Sequence, residues 1–201
     1  MRQLFLISGM TVLPAEIYLR AEASDLSKAA SLQPSIGISG LLGYNIKKMT
    51  GENRTMKILV VNGPNLNFLG IREKAIYGNQ DYDYLCNMIK EKADSEKDEV
   101  ILFQSNHEGA IIDRLQEAYF DGTDGIVINP GAYTHYSYAI HDALKSLENI
   151  TKVEVHISDI SSREEFRKVS VTAPACDKQI YGHGLDGYLE AIDFIKEIKL
   201  K

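Results

Sequence analysis

From Met56 onward the sequence predicts an α/β fold built on a parallel sheet, and two observations carry that prediction. Its strand-like segments are short, continuous apolar runs such as Ile58, Leu59, Val60 and Val61, the pattern of strands covered on both faces rather than the alternation of a half-exposed sheet. These runs take turns with stretches whose apolar residues recur at helical spacing, as expected of strands joined by crossover helices.

The first strand covers residues 57–61, and Asn62, Gly63 and Pro64 stop it. The stretch that follows has neither helical nor strand periodicity, so it reads as a loop, with Gly70 and Gly78 as hinges and Asn65, Asn67, Arg72 and Tyr77 as its polar content. Asp81 opens a helix with Tyr84, Leu85, Met88 and Ile89 on its inner face, and residues 100–103 form the second strand. Residues 108–120 form an amphipathic helix burying Ile111, Ile112, Leu115 and Tyr119, before a third strand at 126–128. Ile140 and Leu144 mark a helix over 137–147, and the fourth strand runs over 153–157. A short helix is expected at 162–168 and a last short strand at Ile180 and Tyr181. A helix over 185–198 closes the chain with Tyr188, Leu189, Ile192 and Ile195 inward. The count gives a five-stranded, flavodoxin-like parallel sheet with helices on both faces.

Residues 1–55 lack this organisation. The apolar stretch 4–13 is short, contains Ser8 and Gly9, and lacks a clear small-residue cleavage site, which argues against a secretory signal. Residues 15–32 have the pattern of an amphipathic helix and 34–43 are rich in Gly and Ser. The segment is expected to be an extension of unknown role or a mis-called start. Gly51 and Glu52 can be encoded by a purine-rich ribosome-binding sequence a few codons before Met56.

The 201 residues carry a net charge of −6, which argues against a nucleic-acid or anionic-membrane partner while leaving room for a local basic pocket. Cys86 and Cys176 have no C-x-x-C or metal-ligand spacing and are expected as free thiols in a reducing cytoplasm. No apolar run approaches the roughly 20 residues needed to cross a bilayer.

Three stretches carry chemistry. In the first loop, a guanidinium near a tyrosine favours the phenolate, so Arg72 and Tyr77 have the makings of an assisted base. Taken singly, Arg72 also fits a solvated charge and Tyr77 a packing aromatic. After the third strand, NPGAYTHYSYAIHDAL delivers Asn129, Gly131 and His135 to the carboxyl end of the sheet, where open α/β folds bind ligands. A histidine there also serves as a structural hydrogen-bonding group, and Asp142 as a solvated helix residue. In VEVHISDISSREEFR, Glu154 and His156 are two apart on a strand and share a face. The carboxylate there would orient the imidazole and favour its protonated form, as a general acid requires. The plainer reading is a surface pair on an edge strand. Ser162 and Glu165 suit a capping box on the next helix, whose N–H groups suit a carboxylate.

The string NGPNLNFLGIREKAIYG resembles the opening of the type II 3-dehydroquinate dehydratases, N-G-P-N-L-x-x-L-G-x-R-E-x-x-x-Y-G, and the other two blocks resemble that family's later motifs. Pro130 and Ala132 are variations within the second, and Asp159 stands where the third more often has Asn. The resemblance covers nearly all of residues 56–201 and implies dehydration of 3-dehydroquinate to 3-dehydroshikimate without metal, nucleotide or Schiff base. It implies Tyr77 as the base, Arg72 as the group lowering its pKa, Asn65 as a holder of the enolate and His156, oriented by Glu154, as the acid. Asn129, His135, Ile157, Ser158 and Arg167 are implied in substrate binding, with Asp142 reaching a neighbouring subunit's site. The implied partners are the small-molecule substrate and further copies of the chain, as trimers packed into a dodecamer.

Two other classes compete. A flavin- or nucleotide-binding domain would want a glycine- or hydroxyl-rich phosphate cradle where this loop has Pro64 and amides. A metal hydrolase would draw on His107, His135 and His156, whose spacing matches no zinc signature.

Overall fold

The computed structural model describes residues 55–71, 80–160 and 164–199. Five strands, β1 (Lys57–Asn62), β2 (Glu99–Gln104), β3 (Gly125–Asn129), β4 (Thr151–His156) and β5 (Lys178–Tyr181), form one sheet in the order β2-β1-β3-β4-β5. Every pairing is parallel. Among the described residues the α-helices are α1 (Tyr82–Glu96), α2 (Glu108–Phe120), α3 (Tyr138–Lys145) and α4 (Asp186–Lys199).

Each central strand feeds two cores because successive side chains point to opposite faces. Ile58 and Val60 join Val127, Val153 and Val155 under α1 and α4, where Leu85, Ile89, Tyr188, Ile192 and Ile195 close the layer. Leu59 and Val61 join Ile126 and Ile128 under α2 and α3, which contribute Ile111, Leu115, Ile140 and Leu144. This two-sided covering is why the strands read as unbroken apolar runs. Each such Leu or Ile stabilises the fold by roughly 1.5–3 kcal/mol on burial.

Local signals set the helix starts. The Asp81 carboxylate accepts the Tyr84 N–H at 2.8 Å, and the Ser137 hydroxyl accepts the Ile140 N–H at 3.0 Å, each satisfying an otherwise orphaned first-turn donor. Two expected core residues lie outside. Tyr84 is 48 % exposed and Tyr119 60 % exposed, because the buried stripes are narrower than the apolar pattern; on α2 the inner position goes to Ala118, one turn beyond the buried Arg114. The fourth strand starts earlier than expected, at Thr151, and ends at His156, leaving Ile157 in the following loop. Of the short helix expected at 162–168, the described part is a single 3-10 turn, Glu165–Arg167; Ser162 of the supposed capping box lies outside the described residues.

The register brings the strand ends out together. Asn62 pairs with Gln104 on one side and with Asn129 on the other, so the loops after β1 and β3 leave the sheet side by side. They touch at Gly63, whose N–H donates to the Asn129 carbonyl at 2.8 Å. A Cβ at Gly63 would lie 2.3 Å from the Pro130 carbonyl oxygen. Gly63→Ala must therefore push two loop backbones apart. It should cost about 1–3 kcal/mol of stability, read by urea denaturation; a loss under about 0.5 kcal/mol would show that the loops move apart freely.

Candidate active site

An open cavity of about 260 Å³ sits at the carboxyl ends of β1, β3 and β4, the position at which doubly wound sheets bind ligands.

From β1, the chain passes through Pro64 to Asn65, which lies in the left-handed region at φ 65° and lines the cavity. Asparagine tolerates that conformation better than most side chains, and the Asn65 N–H is held by Asn106 Oδ1 at 2.9 Å. The same Oδ1 accepts from Gln104 Nε2 at 3.2 Å, so Asn106 ties the first loop to the end of β2. Arg72 and Tyr77, expected from the same loop, lie outside the described residues.

From β3, the chain turns at Asn129 and Gly131 into a 3-10 stretch, Gly131–His135. Gly131 takes φ +59°, and a Cβ there would approach Pro64 O to 3.0 Å, so both conformation and space favour glycine. Asn129 and His135 both line the cavity. His135 Nδ1 lies 2.9 Å from the Val169 carbonyl, which can only accept; that nitrogen is the N–H, and Nε2 is the one left for a ligand. Asp142, one turn into α3, is exposed and is not a cavity wall.

From β4 come Glu154 and His156. The edge-strand reading fails, since β4 lies between β3 and β5 and Glu154 has no exposed surface. His156 Nε2 donates to Glu154 Oε1 at 2.8 Å, and His156 forms part of the cavity wall. No described residue bonds its Nδ1, so the ring offers that nitrogen to a ligand while the carboxylate fixes its orientation. Ile157, Ser158 and Arg167 continue the same wall. The Arg167 guanidinium lies 5.2 Å over the Phe166 ring and 3.6 Å from a Glu164 oxygen.

A cage around Glu154 was not legible from the motifs. Its Oε1 accepts from Thr134 Oγ1 at 2.9 Å, Ser170 Oγ at 2.8 Å and Gln179 Nε2 at 2.9 Å, and its Oε2 accepts from the Thr172 hydroxyl. Burial by itself pushes this carboxyl upward; the His156 hydrogen bond and charge, then the Thr172 and Ser170 hydroxyls, overcome that and hold it below its ordinary range. The cage draws on the loop after β3, the segment before β5 and β5 itself, so no sequence spacing announces it. The segment at 169–172 is fastened alongside, with the Val171 N–H donating to Thr134 O at 2.7 Å and His141 Nδ1 donating to Val171 O at 2.8 Å.

Asn62, Asn129 and Tyr188 form a second buried cluster missed by the motif reading, under the cavity floor. Tyr82 borders it, its phenol pushed up to about 12 first by burial and then by Cys86. Among the described residues no three His, Cys, Asp or Glu side chains are grouped to hold a metal, so His107, His135 and His156 do not converge on one point. None of the helices among the described residues is long and apolar enough to cross a membrane.

Known proteins resemble this chain over the same region. The family model described as dehydroquinase class II matches residues 56–196. A 3-dehydroquinate dehydratase of Lachnoclostridium phytofermentans is 69 % identical over 140 residues, which are 70 % of this chain and 96 % of that protein. One of Lachnospira eligens is 60 % identical over 146 residues, 73 % of this chain and 99 % of that protein. The crystal structure of a type II dehydroquinase from Butyrivibrio crossotus superposes with a TM-score of 0.69 at 68 % identity, covering 71 % of this chain and 98 % of that one. None of these supports a flavin or nucleotide carrier. Since the matched region contains the whole sheet and every described wall of the cavity, the chain belongs to the dehydroquinase class II family.

Proposed function

We propose that this enzyme converts 3-dehydroquinate to 3-dehydroshikimate by anti elimination through an enolate, with Tyr77 as base and His156 as acid. The observation that carries the reading is the pair of His156 and the wholly buried Glu154 at a cavity also walled by Asn65, Asn129, His135 and Arg167. Dehydration next to a ketone needs a carbon-bound proton removed, the enolate held and the departing hydroxyl protonated. Tyr77, assisted by Arg72, takes the C2 proton as a phenolate, and Asn65 helps hold the enolate. His156, held in place by Glu154, delivers its Nδ1 proton to the C1 hydroxyl as it leaves. Ile157 and Ser158 receive the substrate carboxylate, and Asn129, His135 and Arg167 receive the ring hydroxyls. Lyase chemistry of this kind belongs to the shikimate pathway.

The exposed Asp142 is consistent with service to a neighbouring copy's site in a dodecamer of trimers, and the adjacent Tyr136 and Tyr138 are also exposed, 60 % and 68 %. The catalytic domain is taken as residues 56–201, acting in the cytoplasm. Met56 is buried and its N–H donates to Asp98 Oδ1 at 2.9 Å, a contact that a chain-terminal amine would keep as an ion pair. A chain beginning at Met56 should therefore keep its turnover and melting temperature; a large loss of either would make residues 1–55 part of the working fold.

Conversion of 3-dehydroquinate is read by absorbance of the conjugated enone product. In that assay Tyr77→Phe, which keeps the ring and removes the ionisable oxygen, should lower kcat by roughly 10²–10⁴ with little change in KM. Near-normal turnover would refute the base.

Glu154 gives a pH prediction. Its carboxyl is held below the ordinary range in the folded state, so its contribution to stability is complete above the unfolded value of about 4.3 and is lost as pH falls through the lower folded value. Glu154→Gln should be less stable than the unmodified enzyme at neutral pH. The gap, measured by urea denaturation, should shrink as pH drops below about 4.3; a gap independent of pH would contradict the charged assignment.

A further inference from the structure

Three side chains from three elements form one hydrogen-bonded row beneath the cavity. Asn129 ends β3, Asn62 ends β1 opposite it in the register, and Tyr188 comes from the first turn of α4 with no exposed surface. The Gly131 N–H donates to Asn129 Oδ1 at 3.2 Å, Asn129 Nδ2 donates to the Tyr188 hydroxyl at 2.9 Å, and that hydroxyl donates to Asn62 Oδ1 at 2.6 Å.

The row runs in one direction only. A backbone N–H cannot accept, so Gly131 selects the oxygen end of the Asn129 amide and turns the nitrogen end to Tyr188. Tyr188 then accepts from Asn129 and has a single proton to give, which goes to Asn62. The far end of such a one-way row presents a donor: Asn62 Nδ2 is buried, makes no hydrogen bond of ordinary geometry among the described residues, and has the Tyr82 phenol beside it. Burial is the main influence pushing the Tyr188 phenol far up, so it stays protonated and keeps its donor role. Asn129 Nδ2 carries two hydrogens. Tyr188 takes one, no described residue takes the other, and Asn129 is a wall of the cavity.

We propose that Tyr188 is a positioning residue for the reaction: its hydroxyl holds Asn129 Nδ2 so that the second N–H of that amide meets the substrate, making this point of the wall a hydrogen-bond donor that selects an oxygen acceptor such as a ring hydroxyl. The inference rests on the reading that Asn129 contacts the substrate. Without the Tyr188 hydroxyl, only the 3.2 Å bond from Gly131 restrains the amide, and a turned amide sets oxygen against oxygen.

Tyr188→Phe keeps the ring in the core and deletes the hydroxyl. With 3-dehydroquinate as substrate, KM should rise about tenfold while kcat stays within about twofold, and the pH profile of kcat should not move, since base and acid are untouched. Asn129→Ala should raise KM at least as much, and adding Tyr188→Phe to it should raise KM no further, because both changes remove one contact. The same KM increase in both backgrounds, a loss confined to kcat, or an Asn129→Ala enzyme with unchanged KM overturns the inference while leaving the dehydratase reading intact. An unmodified enzyme that does not dehydrate 3-dehydroquinate overturns both. Should Tyr188→Phe fail to fold, Asn62→Ala serves: it frees the Tyr188 proton to turn on Asn129 and should raise KM severalfold, and a folded Asn62→Ala enzyme with unchanged KM overturns the inference.

Discussion

A carboxylate with no contact to water has to be met by donors, and Glu154 imposes that condition on half of the site. Removing an ion from water costs several kcal/mol even after relaxation, so the charge persists only if hydrogen bonds replace its hydration. Here they come from Thr134, Ser170, Thr172, Gln179 and His156, spread over the loop after β3, the segment before β5 and two strands. Each donor is thereby held in place by the group it serves. The imidazole that faces the cavity inherits this rigidity, since its Nε2 is anchored to the same oxygen as three other donors. Fixed geometry of that kind is what the general-acid role proposed for His156 would require.

Two polar systems support the cavity in different ways. Around Glu154 the donors converge on one charge and hold that carboxyl below its ordinary range. Under the floor, Asn62, Asn129 and Tyr188 are neutral, and their row transmits direction from the Gly131 N–H to the amide of Asn129, which lines the cavity. Both depend on the sheet register that sets Asn62 beside Asn129 and Ile128 beside Glu154. A slip of one residue would turn Glu154 and His156 to the opposite face. The close approach at Gly63 belongs to the same constraint, because the loops after β1 and β3 can meet only where one of them lacks a side chain.

Much of the fold was legible in local pattern. Strand interiors such as 58–61 and helix faces such as Ile140 and Leu144 are read from spacing because each reports burial within its own element. Tyr84 and Tyr119 misled for the same reason: periodicity shows that a tyrosine can face inward, while the width of the buried stripe depends on what packs against it. The shared face of Glu154 and His156 followed from strand geometry alone, and their hydrogen bond is found.

By itself the sequence determined the alternation of strands and helices, the position of polar loops at strand ends and, through three motifs, the family. Tertiary structure alone decided that β4 is interior, that Glu154 is wholly buried, that Asp142 stands apart from its own chain's cavity, and which donors serve the carboxylate. The reason lies in sequence separation. Thr134, Glu154 and Gln179, or Asn62 and Tyr188 at 126 residues apart, have no local period to relate them. Only the order β2-β1-β3-β4-β5 and the packing of α4 onto it bring them within a hydrogen bond of one another.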